Sequence, residues 1–247
     1  MEYSVCVDAL YMNRDFMESV KAVNACGLKN IEFWTWWEGK DIDALAAYIR
    51  ENDMHVTAFC TRFISLTDPA QRGAYLAGLK ESIAVAKKLN CRQLITQTGA
   101  DTGKPRAEQA QSLADGLKAC VPMLTENNIT LVVEPLNVRV DHKGYFLSSS
   151  DEAAEILNKV GSAQVRMLFD IYHQQITEGD ILRHIELHKD LIAHFHAAGN
   201  PGRHELYRSE LDYGYIFSEL RKMGCEGYIG LEYFPMEKPE VGLTRLP

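Results

Sequence analysis

The 247-residue sequence contains no C-x-x-C pair, no G-x-G-x-x-G glycine fingerprint, no H-E-x-x-H motif and no excess of basic charge. Each absence removes a class of protein. The six cysteines (Cys6, Cys26, Cys60, Cys91, Cys120, Cys225) are widely spaced and read as free thiols in a reducing compartment, not as a disulfide framework. With 26 basic against 34 acidic side chains the net charge is −8, which lacks the electrostatic footprint of a nucleic-acid binder. Apolar stretches are short: Leu131, Val132 and Val133 run straight into Glu134, and nothing approaches the roughly 20 residues of a membrane span. The opening, MEYSVCVDAL, has no basic segment followed by an apolar one, so no secretory leader is read and a cytoplasmic protein is expected.

What is present is a regular alternation. Eight apolar runs of strand length begin near Tyr3, Asn30, Val56, Gln93, Ile129, Arg166, Leu191 and Gly227. Near-continuous apolar runs of this kind suit parallel strands covered on both faces. Between them lie amphipathic stretches that predict helices over about Arg14–Cys26, Asp41–Asn52, Asp68–Leu89, Ala107–Glu126, Ser149–Val160, Asp180–Lys189 and Ser209–Met223. Asp68 followed by Pro69 is a helix start signal, and Gly27, Gly161 and Gly224 stand where helices should stop. Eight βα units in one undivided chain of this length predict a single-domain (β/α)8 TIM barrel over residues 1–247. The tail from Glu237 to Pro247 is too short and too proline-flanked for more than a short or degenerate last helix. A doubly wound open sheet is the rival, and the missing glycine fingerprint after the first strand argues against it.

In a TIM barrel, chemistry sits at the C-terminal ends of the strands. Four runs end in metal-ligand types: Glu134 in LVVEP, Asp170 in MLFDIYH, His196 in AHFHAAG and Glu232 in IGLEYFP. Each stands at a parity that can point inward. Three carboxylates and one imidazole make an oxygen-rich set suited to one divalent ion, Mn²⁺, Mg²⁺ or Co²⁺, with Zn²⁺ acceptable but less favoured. Without a cation, three converging acids would repel one another. His173 follows Asp170 by three positions and reads as a loop-borne donor facing the same substrate. In PGRHE, Pro201 and Gly202 shape a turn that presents Arg203, a fixed cation for a carboxylate or phosphate. Arg62 is a second candidate anion contact, and the run Trp34 to Trp37 supplies either an apolar wall or core packing. His194 reads as a packed residue behind His196, and His204 and Glu205 as loop or ion-pair residues. His184 and His188 have the i, i+4 spacing of a zinc pair but carry Ile185 where the H-E-x-x-H motif has its Glu, so they read as an exposed helix face.

These residues resemble the hydroxypyruvate isomerase family, within the xylose isomerase-like superfamily of sugar isomerases and epimerases. The resemblance runs through EFW (Glu32, Phe33, Trp34), VVEPLN with Arg139 and the following GYFL, DIYHQQ with its later EGD, PGRHE, and GLEYFP. It implies that Glu134, Asp170, His196 and Glu232 hold the metal, that Glu134 and Glu232 also transfer protons, and that His173 and Arg203 contact substrate. The chain departs from the family in carrying His196 where glutamine is common, a histidine more usual in ketose epimerases.

The expected function is metal-dependent aldose-ketose isomerisation of a small hydroxy-carbonyl compound, with hydroxypyruvate to tartronate semialdehyde as the leading reaction. Proton transfer through an enediolate is the expected route. A ketose 3-epimerase or inosose-processing enzyme with the same metal site is the alternative. More distant ones are a noncatalytic sugar-binding barrel and an endonuclease IV-like phosphodiesterase, the last opposed by the acidic charge and by Thr61 and Thr98 at the ends of strands three and four. The expected partner is a small molecule, neither nucleic acid nor membrane, and a homo-oligomer is left open.

Overall fold

Residues 1–247 are described by a computed structural model. Eight strands, β1 (Glu2–Cys6), β2 (Asn30–Phe33), β3 (His55–Cys60), β4 (Gln93–Thr96), β5 (Thr130–Val133), β6 (Val165–Asp170), β7 (Ile192–Ala197) and β8 (Tyr228–Leu231), pair in sequence order. All pairs are parallel, and β8 returns to β1 to close the barrel. No helix is long and apolar enough to cross a membrane.

The helices are α1 (Val7–Leu10), α2 (Phe16–Ala25), α3 (Ile42–Glu51), α4 (Arg72–Lys88), α5 (Arg106–Asn127), α6 (Ser150–Val160), α7 (Ile171–Thr177), α8 (Ile181–His188), α9 (Tyr213–Lys222) and α10 (Pro239–Leu243). α10 is the short last helix the tail predicts. Asp15, Asp41, Ser149 and Asp212 each accept a backbone N–H of the first turn they precede, which fixes where α2, α3, α6 and α9 start. Asp68 caps a 3₁₀ turn, Pro69–Gln71, so the helix expected from Asp68 begins properly only at Arg72. The stretch from Ser209 is loop until Asp212. Two helices escape the periodicity: α1 and α7 follow directly on β1 and β6 and are too short to display a repeat.

Two hydrophobic regions hold the architecture. The larger lies between strands and helices, where residues such as Phe33, Phe59, Leu131, Phe169 and Phe195 are fully buried. The smaller, Ala58, Cys60, Ile95, Val132 and Leu168, fills part of the barrel interior. Alternation along a strand then dictates what stands above it. Val132 shares a face with Glu134, and Leu168 with Asp170. His194 likewise shares a face with His196, and Gly230 with Glu232. The acids and the imidazole are therefore raised at the mouth by the parity that puts small and apolar side chains below.

Candidate active site

One oxygen or nitrogen each from Glu134, Asp170, His196 and Glu232 lies within 4.8 Å of the others, and all four residues are buried. His196 is the hub. Its Nδ1 stands 3.2 Å from Glu232 Oε2, 3.6 Å from Glu134 Oε1 and 4.0 Å from Asp170 Oδ2. Glu134 Oε1, Asp170 Oδ2 and His196 Nδ1 are buried and have no hydrogen-bond partner. Protein interiors seldom leave such atoms unpaired. Several of them facing one small space is what a ligand shell for a cation looks like, and three carboxylates with one imidazole are the donor set of a divalent ion. The four residues fit a metal.

On its far side His196 Nε2 lies 2.9 Å from Glu32 Oε1, and the other oxygen of the same carboxylate lies 2.9 Å from His194 Nε2. A carboxylate behind a ligating histidine fixes the ring's orientation and tautomer. Burial would raise the Glu32 pKa, but His196 and His194 outweigh it and hold the group at about 2. Gly230 makes this packing feasible: a Cβ there would fall inside contact distance of both Glu32 and His196. Sequence reading placed His194 in a packed position behind His196, where it stands. It did not assign Glu32 a role, because a lone acid inside an apolar strand carries no spacing signal.

Arg203 sits on the β7–α9 loop with φ +58°, after Gly202 at φ +97°. A non-glycine residue there is uncommon and reflects a turn that aims the side chain. The guanidinium is buried. Its Nη2 donates to Glu232 Oε2 and stands 3.7 Å from Asp170 Oδ2, while Nε donates to the Glu232 carbonyl at 3.3 Å. Burial raises the pKa of Glu232, yet Arg203 and then His196 hold it well below the carboxylate range. At Asp170 burial prevails over the same two cations and lifts the group to about 7. The environments of two neighbouring carboxylates thus differ in sign. Trp34 adds an indole N–H to Glu232 Oε1, so the aromatic run contributes a hydrogen-bond donor as well as a wall.

His173 lies on the first turn of α7, not in a loop, because Asp170 Oδ1 accepts the backbone N–H groups of Tyr172 and His173 and caps the helix. Its environment sets its tautomer. Asn137 Oδ1 accepts from the N–H groups of Val140 and Asp141, so Asn137 Nδ2 is the donor that lies 2.6 Å from His173 Nδ1. The proton is therefore on Nε2, which has no partner and stands 3.5 Å from Asp170 Oδ2. Burial, reinforced by Arg203, pushes the ring well below its ordinary pKa and keeps it neutral. Asn137 is the second residue that sequence reading left without a role.

The cavity over these groups encloses about 430 Å³ and is walled by Phe33, Trp34, Phe63, Leu136, Tyr145 and Phe234. Arg62 is not part of its lining; it pairs with Glu81 at 2.7 Å and lies over the Trp36 and Trp37 rings. Glu205 is buried and accepts the backbone N–H groups of Met236 and Glu237, a structural use.

The sequence pattern of the xylose isomerase-like TIM barrel matches residues 20–245. The chain belongs to the xylose isomerase-like TIM barrel family. Within it, the chain is similar to the hydroxypyruvate isomerase of Escherichia coli K12, at 26% identity over 98% of this chain and 97% of that protein. A 146-residue stretch is 38% identical to the 2-oxo-tetronate isomerase of Cupriavidus necator, covering 58% of this chain and 54% of the relative. Among solved structures, one described as an AP endonuclease, family 2, from Brucella melitensis superposes with a TM-score of 0.93 at 26% identity, over 98% of this xylose isomerase-like barrel and 96% of its own chain.

Proposed function

We propose that this xylose isomerase-like barrel interconverts the aldose and ketose forms of a small hydroxy-carbonyl compound, with hydroxypyruvate to tartronate semialdehyde as the leading reaction, and that it does so with one divalent ion at the mouth. The observation that carries the reading is the convergence of Glu134, Asp170, His196 and Glu232, the first three of which bring unpaired buried atoms to one small space. The names of the similar isomerases support the reaction class.

When bound, the ion supplies electrophilic stabilisation of negative charge on the substrate oxygens. Glu134 and Glu232 are the bases. One takes the proton from the hydroxyl-bearing carbon, and one returns a proton to the former carbonyl carbon, so the skeleton keeps its atoms and only two hydrogens change place. Arg203 and His196 hold Glu232 in its ionised form. His173, neutral with its proton on Nε2, donates to a substrate oxygen and helps to fix which face is presented. The apolar wall limits water around the enediolate. Arg203 also offers the substrate carboxylate a cation. Its contact is worth about 1.5–3 kcal/mol, so Arg203→Ala should lower kcat/KM on hydroxypyruvate about ten- to a hundredfold more than on an uncharged ketose. Equal losses on both would mark a structural arginine.

A second reading is favoured by the cavity itself. A volume of about 430 Å³ exceeds the needs of a three-carbon acid and accommodates a four-carbon 2-oxo acid with the same reacting carbons. Steady-state turnover of metal-loaded enzyme on hydroxypyruvate, a four-carbon 2-oxo-tetronate and ketohexoses tests both. The proposal expects one of the two oxo acids to have the highest kcat/KM. Preference for a ketohexose would replace it with epimerase chemistry, and absence of any turnover would contradict it.

A further inference from the structure

Outside the barrel mouth, a second group of metal-ligand side chains joins α6 to α8. His184 and His188 lie one turn apart on α8 and are partly or fully buried, not presented to solvent as their spacing alone suggests. Asp151, in the first turn of α6, faces both. His188 Nε2 is 2.6 Å from Asp151 Oδ1, and His184 Nδ1 is 3.7 Å from the same oxygen. One ligand atom from each of the three residues lies within 4.8 Å of the others. Glu178, the residue just after α7 and nearly buried, brings Oε2 to 3.6 Å from His184 Nδ1 while its other oxygen accepts the N–H of Ser150. Sequence spacing supplied two imidazoles, and the fold adds two carboxylates from two other elements.

We propose that Asp151, His184 and His188 form a second metal site that binds a zinc-type transition ion and ties α6 to α8, with Glu178 or water completing the shell. Ligands about 2.0–2.2 Å from a tetrahedral ion lie roughly 3.3 Å from one another. The separations of 2.6 and 3.7 Å from Asp151 Oδ1 bracket that spacing, and all three ligand atoms lie within 4.8 Å of one another. The two sites differ in donor chemistry. The mouth is mainly carboxylate and suits Mn²⁺ or Mg²⁺, whereas two imidazoles with one carboxylate favour Zn²⁺, Ni²⁺ or Cu²⁺. This site is independent of the proposed isomerase reaction.

The test is zinc content, measured by elemental analysis after dialysis of the full-length enzyme against excess Zn²⁺. Wild type should retain one more equivalent per chain than His184→Ala, His188→Ala or Asp151→Asn, and each variant should keep its turnover. Zn²⁺ added to Mn²⁺-loaded enzyme should raise the thermal midpoint of wild type but not of the variants, since an ion that binds only the folded state stabilises it by mass action. A Glu134→Gln, Asp170→Asn double variant should keep the helix-bound equivalent, which separates failure of one site from failure of the other. If His188→Ala perturbs the helix, the exposed Asp151 carboxylate supplies the milder variant. Equal zinc in wild type and Asp151→Asn, or no zinc-dependent shift in wild type, overturns the proposal and leaves an ordinary histidine-aspartate hydrogen bond between helices.

Discussion

The proton on His173 is placed by a residue that touches no reacting atom. Asn137 uses its oxygen on two backbone N–H groups and is left with only donors to offer the ring, so the chain of hydrogen bonds ends on a single free N–H at His173 Nε2. Asn137→Ala should therefore lower kcat/KM about five- to 150-fold, for a loss of about 1–3 kcal/mol at a buried donor. ¹⁵N NMR of the ring should report mixed tautomers in the variant and one in wild type. Unchanged turnover with an unchanged ring spectrum would show that Asn137 only braces its loop. The same scale shows what sequence could and could not reveal. Glu134, Asp170, His196 and Glu232 were legible because each closes an apolar run, and strand parity then sends them to one mouth. Glu32 and Asn137 were not, since their importance comes from which side chains the closed barrel sets against them.

Among the elements, β2, β7 and β8 are bound together by polar side chains inside the barrel, an arrangement affordable only where one strand leaves room. Gly230 on β8 pairs with His196 and lies under the Glu32 carboxylate. Gly230→Ala should displace Glu32 or the His196 ring, cost about 1–3 kcal/mol of stability through overpacking, and weaken metal retention. A thermal scan should show the midpoint fall by about 2–4 °C per kcal/mol for a chain of this size. Wild-type stability with full metal content would show that the barrel relaxes around the methyl group. The long strands and helices could be read from periodicity because each has a buried stripe or face. α7 could not. It is a single capped stretch whose helicity is set by Asp170, a residue already used by the site, and so His173 was expected in a loop. The distance from Asp170 to His173 in sequence was enough to bring them together, but only the helix makes their facing atoms rigid.

For the whole molecule, the order of strands around the barrel matters more than any single motif. β5, β6, β7 and β8 are consecutive neighbours, so four candidate ligand residues separated by up to 98 positions in sequence rise side by side. Eight βα units predicted that closure, and closure explains why resemblance along the sequence and convergence in space agree. The central claim is that Glu134 and Glu232 move protons through an enediolate at this mouth. It is tested most directly by converting hydroxypyruvate in D₂O with metal-loaded enzyme, locating deuterium in the product by NMR, and running Glu134→Gln and Glu232→Gln of measured metal content beside wild type. The account predicts deuterium on the carbon that was the carbonyl, and loss of most turnover in both variants. Product that keeps the original hydrogen over many turnovers and across pH, or variants that turn over at the wild-type rate, would contradict it.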